Sequence, residues 1–236
     1  MALGKKTGGL ILACALAAPA AQFPVRHRHW RGGCRGTLDV SANGVRFAGP
    51  GGHAWQWKLG QIRQLELAPD RIVVATYENG RLPATERSYE FDGEVPAGEL
   101  YALLRDRMDQ RLVAGLAPPP GGAAWSLPVK HVGRAGSLGT LELTAETIAY
   151  RTPSKDESRT WRYADIASIG SSGPFELTVT TFERAPAQYG GRRVFNFELR
   201  QPIPEERYNE LWLYIEMKSG RIPFQGAATP DWAAAH

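Results

Sequence analysis

Shifted against itself by about 104 residues, the chain matches its own second half, so it must fold as two copies of one unit. FPVRH at 23–27 falls on LPVKH at 127–131, and Gly36-Thr37-Leu38 on Gly139-Thr140-Leu141. The match continues in order through Trp57 and Trp161, Ile62 and Ile166, Tyr77 and Phe182, and RSYEF at 87–91 on RVFNF at 193–197. The offset drifts by only a few residues, the size of loop insertions, so the topology is the same in both copies.

Within a copy the apolar residues alternate, as in Leu38/Val40, Val45/Phe47 and Trp55/Trp57, which is the pattern of half-buried antiparallel strands. Gly-rich punctuation separates the segments, and Asn43-Gly44 marks a tight hairpin. The first copy is predicted to hold seven strands, near 24–30, 36–41, 44–49, 53–58, 62–67, 71–78 and 86–92. A helix follows. Pro96 opens AGELYALLRDRMDQRL with the stripe Leu100, Leu103, Leu104 and Met108, and in the second copy Pro204 opens EERYNELWLYIEM with Tyr208, Leu211, Trp212 and Ile215. Each stripe is expected to cover the open end of the strand barrel before it. The expected fold class is mainly β with α.

The first 21 residues read differently. Lys5 and Lys6 precede the run LILACALAA and the small residues Ala18–Ala21, the layout of a secretory signal peptide. The apolar run falls short of a membrane span. A lipobox reading, with Cys14 lipidated, competes with it, although the apolar residues continue past Cys14. The chain thus divides into a leader at 1–21, a first module at 22–112, a Pro/Gly/Ala linker at 113–126, a second module at 127–219 and a tail at 220–236. An exported protein, periplasmic or secreted, is expected. Losing Cys14 with the leader leaves Cys34 the one cysteine, so no internal disulfide forms and stability rests on packing.

The full chain has 28 Lys and Arg against 24 Asp and Glu, and removing the leader takes away two lysines. A balance this close to neutral argues against a nucleic-acid binder. The charge is unevenly placed, however: no carboxylate precedes Asp39, while Arg26, Arg28, Arg31 and Arg35 cluster with His27 and His29.

Seven antiparallel strands closed by one C-terminal amphipathic helix resemble the pleckstrin-homology-like superfold, including its bacterial and GRAM-type variants. The resemblance covers both copies, through the tryptophan of the fourth strand and the Arg-x-aromatic-x-Phe last strand, and implies binding of a lipid, peptide or partner rather than catalysis. The family's lipid sites lie on the first two strands and the loop between them. Arg26, Arg28, Arg31 and Arg35 occupy that region here, with Lys130 and Arg134 in the second copy. Their spacing departs from the phosphoinositide pattern of a lysine followed by a basic-x-Arg pair, which restricts any lipid reading to generic anionic surfaces or another acidic ligand.

Other chemistry finds less support. His27 and His29 share a strand face, but a zinc site needs three or four ligands, and His53, His131 and His236 have no matching spacing. The pair reads as a solvated basic edge, and neither a metal nor a cofactor is expected. Gly170-Ser171-Ser172-Gly173 has the wrong spacing for a nucleophile elbow and reads as a loop. Trp30 and Trp55 either join the arginines in a basic-aromatic surface or are buried under the loop. The expected function is a non-catalytic binding or scaffolding protein of the cell envelope, engaging a protein partner or an anionic membrane surface. The alternatives are a hydrolase with a carboxylate cleft between the modules, and a structural subunit that would betray itself by an exposed apolar patch.

Overall fold

The computed structural model of the chain describes residues 20–29, 32–79, 86–116, 123, 125–133, 136–154, 157–185, 191–221, 230 and 233. Most of the expected leader, part of the linker and most of the tail therefore lie outside the described residues.

The first copy runs through β1 (Ala20–Arg28), β2 (Cys34–Ser41), β3 (Gly44–Ala48), β4 (Ala54–Lys58), β5 (Ile62–Ala68), β6 (Arg71–Asn79) and β7 (Glu86–Asp92) to the helix α1 (Ala97–Leu104). A short strand, β8 (Leu112–Ala114), comes next. The second copy repeats the order with β9 (Trp125–Val132), β10 (Ser137–Leu143), β11 (Thr147–Arg151), β12 (Arg159–Arg162), β13 (Ile166–Gly170), β14 (Glu176–Arg184), β15 (Arg192–Leu199) and α2 (Glu205–Lys218). Seven strands followed by a helix, the element order expected from the sequence, thus occur twice. The lateral order within each copy is also the same, β5-β6-β7-β1-β2-β3-β4 in one and β13-β14-β15-β9-β10-β11-β12 in the other. Among the described residues no helix is long and apolar enough to cross a membrane.

Equivalent positions do equivalent work in the two cores. Leu38 and Leu141, Trp57 and Trp161, Ile62 and Ile166, and Phe91 and Phe197 are all buried. Gly36 and Gly139 are required for the same reason: a Cβ at Gly36 would strike the Phe47 ring and the Ala48 carbonyl, and one at Gly139 the Tyr150 ring and the Arg151 carbonyl. In each copy an aromatic ring thus lies against a glycine of the neighbouring strand.

Three details differ from the expectation. The β2–β3 hairpin turns on Ala42 and Asn43, one residue earlier than Asn43-Gly44, because Ser41 pairs with Gly44 and a side chain at Gly44 would meet the Trp57 carbonyl. Helix α1 stops at Leu104, since the charged stretch that follows unwinds and Asp109 takes a left-handed φ of 49°. Leu100, Leu104 and Met108 are nonetheless buried, each contributing about 2 kcal/mol of apolar burial. In α2 the buried stripe is Leu211, Tyr214 and Ile215, while Trp212 points outward with 43% exposure.

The two copies are joined by hydrogen bonds as well as by chain. The start of the expected linker is β8, which pairs in parallel with β5 through Leu65↔Leu112 and Leu67↔Ala114, and antiparallel with β12 through Thr160↔Ala114. One fifteen-stranded sheet results. Around this seam the Arg184 amide donates to Gln64 Oε1 at 3.0 Å, Gln110 Nε2 donates to the Ala164 carbonyl at 3.2 Å, and the Arg162 guanidinium reaches the carbonyls of Arg105 and Asp109.

Candidate functional site

The alternation of β1 splits its residues between two environments. Phe23, Val25 and His27 face inward, and Arg26 and Arg28 outward. Arg28 does not stand as an open charge: it grips Asp92 through Nε at 3.1 Å and Nη2 at 2.9 Å, and Glu90 through Nη1 at 2.8 Å. Those carboxylates, together with the hydrogen bonds to Asp92, raise its already high pKa further. Arg26 donates to the Gly32 carbonyl, and Arg35 is exposed directly opposite Arg26 in the β1–β2 ladder. Lys130 lies 3.8 Å from Glu198. Arg31, Arg134 and Trp30 lie outside the described residues.

The inward face holds what the spacing did not reveal. β1 is paired on both sides, with β2 and β7, so His27 is not on an edge, and it is buried at 8% exposure. Its ring packs on Trp55 at 4.8 Å, Phe91 at 5.3 Å and Phe47 at 5.8 Å between centroids. Cys34 opens β2 directly opposite His27 in the ladder, with Sγ 3.9 Å from His27 Nδ1. His53 arrives from the β3–β4 loop and sets Nδ1 3.3 Å from the same sulfur. His29 completes the group, its ring 5.5 Å from that of His27 and 5.7 Å from that of His53.

One donor atom from each of the four side chains lies within 4.8 Å of the other three. Burial lowers the His27 pKa, and the neighbouring imidazoles of His29 and His53 lower it further, so that ring is held neutral.

Local backbone chemistry explains the convergence. Gly32-Gly33 and Gly51-Gly52 all take positive φ, and each pair directly precedes a member of the cluster, Cys34 or His53. Left-handed glycines let both loops fold back over the end of the sheet. The His53 amide and carbonyl are then pinned, to the Pro50 carbonyl at 3.2 Å and by the Gly49 amide at 2.8 Å. A legible signal existed in the strings RGGC and PGGH.

The second copy keeps the place and changes the chemistry. His131 pairs with Ser137 and Phe197 as His27 does with Cys34 and Phe91. Ser137 replaces the cysteine, Glu157 stands at the His53 position and Gly133 at that of His29. The result is a hydrogen-bonded polar group: Ser137 Oγ meets Tyr150 Oη at 2.8 Å and donates to Glu157, whose Oε2 lies 3.8 Å from His131 Nδ1.

Carboxylates also gather where the copies meet, but they face arginines. Arg159, 3% exposed, lies 3.5 Å from both Glu66 of the first copy and Glu183 of the second. Glu183 also accepts from Trp161 Nε1 at 2.7 Å and has Arg193 at 3.5 Å. Burial pushes the Glu183 carboxyl pKa up, and the flanking arginines oppose that. This arrangement ties the seam together through Arg159, which bridges a carboxylate of each copy.

No protein-family model and no curated protein matches this sequence. Among solved structures the chain is similar to the Spt16D–Pob3N heterodimer, at 13% identity over 79% of this chain and 99% of that one, with a TM-score of 0.32.

Proposed function

We propose that the chain is a non-catalytic, two-module binding protein of the cell envelope that engages a protein partner through the outer face of its second module. The supporting observation is a stripe of exposed apolar side chains, Val194, Val132 and Leu138, each at least half exposed. They lie on adjacent strands β15, β9 and β10. The pairings Val132↔Asn196 and Leu138↔Lys130 make Val132 the diagonal neighbour of both others on one face of the sheet. Exposed apolar side chains grouped on one sheet face offer a surface that another protein can cover.

The equivalent positions in the first copy are Arg28 for Val132 and Arg35 for Leu138. At these two positions the first module is basic and the second apolar. Pairing of Arg28 with two carboxylates, and of Lys130 with Glu198, lowers the charge available to an anionic membrane and favours the protein reading. The leader pattern in the sequence supports export.

The test is site-specific photo-crosslinking in cells of the source organism, with the photoreactive residue at Leu138 or, for comparison, at Tyr77. A discrete adduct at Leu138, lost when Val132→Lys is added, is the expected result. Adducts of lipid only, or equal adducts at both sites, would overturn the protein-partner reading. An adduct of twice the chain's own mass would identify the partner as a second copy.

A further inference from the structure

We propose that His27, His29, Cys34 and His53 form a four-ligand site for a tetrahedral transition cation of the zinc class, built into the first module and dismantled in the second. The inference does not depend on the partner-binding reading, because it concerns the opposite, inward side of the sheet.

Four features carry it. The first is donor chemistry. Three imidazoles and a thiol suit zinc and its late first-row neighbours, and exclude magnesium and calcium, which take oxygen donors.

The second is geometry. With metal–ligand bonds of about 2.0–2.3 Å, the donors of a tetrahedral site lie roughly 3.3–3.8 Å apart. The sulfur already stands 3.3 Å from His53 Nδ1 and 3.9 Å from His27 Nδ1. The widest separation in the group, no more than 4.8 Å, closes with side-chain shifts of about 1 Å.

The third is an unmet need: His29 Nε2 is buried and has no hydrogen-bond partner among the described residues. A buried polar atom without a partner costs stability, and a cation shared with the three neighbouring side chains would relieve that cost where His29 ligates through this nitrogen. No carboxylate belongs to the group, so hydrogen bonding to an acid, the device used in the second module, is not what organises it.

The fourth is the internal control. The same fold position in the second module carries His131, Ser137, Glu157 and Gly133. There the polar atoms meet one another: Ser137 with Tyr150 and Glu157, and Glu157 with His131. The fold therefore does not by itself demand histidines and a cysteine at this place. Where they occur, the Cys34 sulfur meets His53 and His27, and a shared cation would engage all four donors at once.

A cation here would tie together β1, the loop after it, the start of β2 and the β3–β4 loop. Binding needs a thiolate at Cys34 and neutral imidazoles, so metal uptake releases protons and weakens as the pH falls.

The experiment uses the untagged full-length chain carrying Cys14→Ser, so that Cys34 is the sole thiol, purified with chelator and reductant and titrated with Co²⁺ as a spectroscopic probe. Expected are one Co²⁺ per chain, a near-ultraviolet sulfur-to-cobalt charge-transfer band, intense visible d–d bands of tetrahedral cobalt, and loss of all of them on adding one equivalent of Zn²⁺. Cys34→Ser should abolish the charge-transfer band. His53→Ala should weaken zinc binding by more than about 100-fold, beyond what loss of an outer-shell partner costs. His131→Ala, in the second module, should leave the spectrum unchanged.

Circular dichroism and thermal melts of the metal-free variants establish that they fold. Weak octahedral bands without charge transfer, or no cobalt or zinc retained by folded wild-type protein, would overturn the site. Equal losses in His53→Ala and His131→Ala would do the same. Retention of Cu⁺ alone would overturn the zinc-class assignment.

Discussion

At the scale of single residues, the histidine at the start of each copy shows how position and chemistry separate. His27 and His131 occupy the same place, and burial lowers both pKa values below the ordinary 6.5. Around His131, Arg193 and Arg159 push in the same direction as burial, while Glu157 opposes them without prevailing. Folding therefore favours the neutral ring. That contribution to stability is fully present above about pH 6.5 and is lost as the pH falls towards the depressed native value, because the unfolded chain takes up the proton first. Urea unfolding at about pH 7.5 and 5.5 should show wild-type stability falling with acid, and His131→Asn should fall less steeply. An unchanged slope in the variant would show that His131 does not titrate between the two states.

The sequence made His27 and His29 visible as a pair on one face and Cys34 as a lone thiol. It did not join His53 to them. That proximity is a product of ladder register and of two left-handed glycine pairs, neither of which leaves a fixed ligand spacing in the chain. The arginines were legible as a cluster around the first two strands, and Arg26 and Arg28 of β1 are exposed. What linear reading missed is that the partner strand β7 presents Glu90 and Asp92 against Arg28.

At the scale of elements, most strands fall within a few residues of where alternation placed them, since each buries a period-two set against one core. The departures occur where tertiary contacts override local pattern. The apolar stripe in 97–108 continues past the end of α1 because Met108 reaches the core from a turn, not from a helix. Strand β12 was legible through Trp161, but not the reason its neighbours Arg159 and Thr160 are buried: they face the first copy.

The Glu66–Arg159–Glu183 chain is the costly part of that seam. Removing one member of a buried ion network leaves its partner desolvated and uncompensated. Glu183→Ala should destabilise the protein by about 3 kcal/mol or more, since it strips Arg159, Arg193 and the Trp161 indole of their shared acceptor. Denaturant midpoints at constant slope measure it. A loss below about 1 kcal/mol, the worth of one ordinary hydrogen bond, would mean the network is solvated in solution.

At the scale of the whole molecule, the repeat announced two modules but not how they are joined. A Pro/Gly/Ala segment reads as a short linker and leaves open whether the modules share an interface. The structure inserts β8 between the β5 edge of one copy and the β12 edge of the other, so three residues complete a single ladder. Gly115 adds a bond to the Leu67 carbonyl at 2.7 Å, and Thr160 Oγ1 donates to the Leu116 carbonyl at 2.6 Å.

Coupling of this kind has a calorimetric signature. If the seam holds the copies together, wild-type protein should unfold in one transition whose calorimetric and van't Hoff enthalpies agree for the whole chain. Val113→Pro removes an amide from the centre of β8 and imposes a ring on a paired strand, a change found in sheets only at edges or bulges. Val113 is buried but belongs to neither hydrophobic core cluster. The variant should therefore resolve into two transitions, each with about half the enthalpy, because enthalpy scales with the residues that unfold together. Two independent transitions in the wild type would mean that β8 does not couple the modules. A single transition in the variant, unshifted from the wild type, would place the coupling in the Arg159 network instead, and combining Val113→Pro with Glu183→Ala would then be needed to split it.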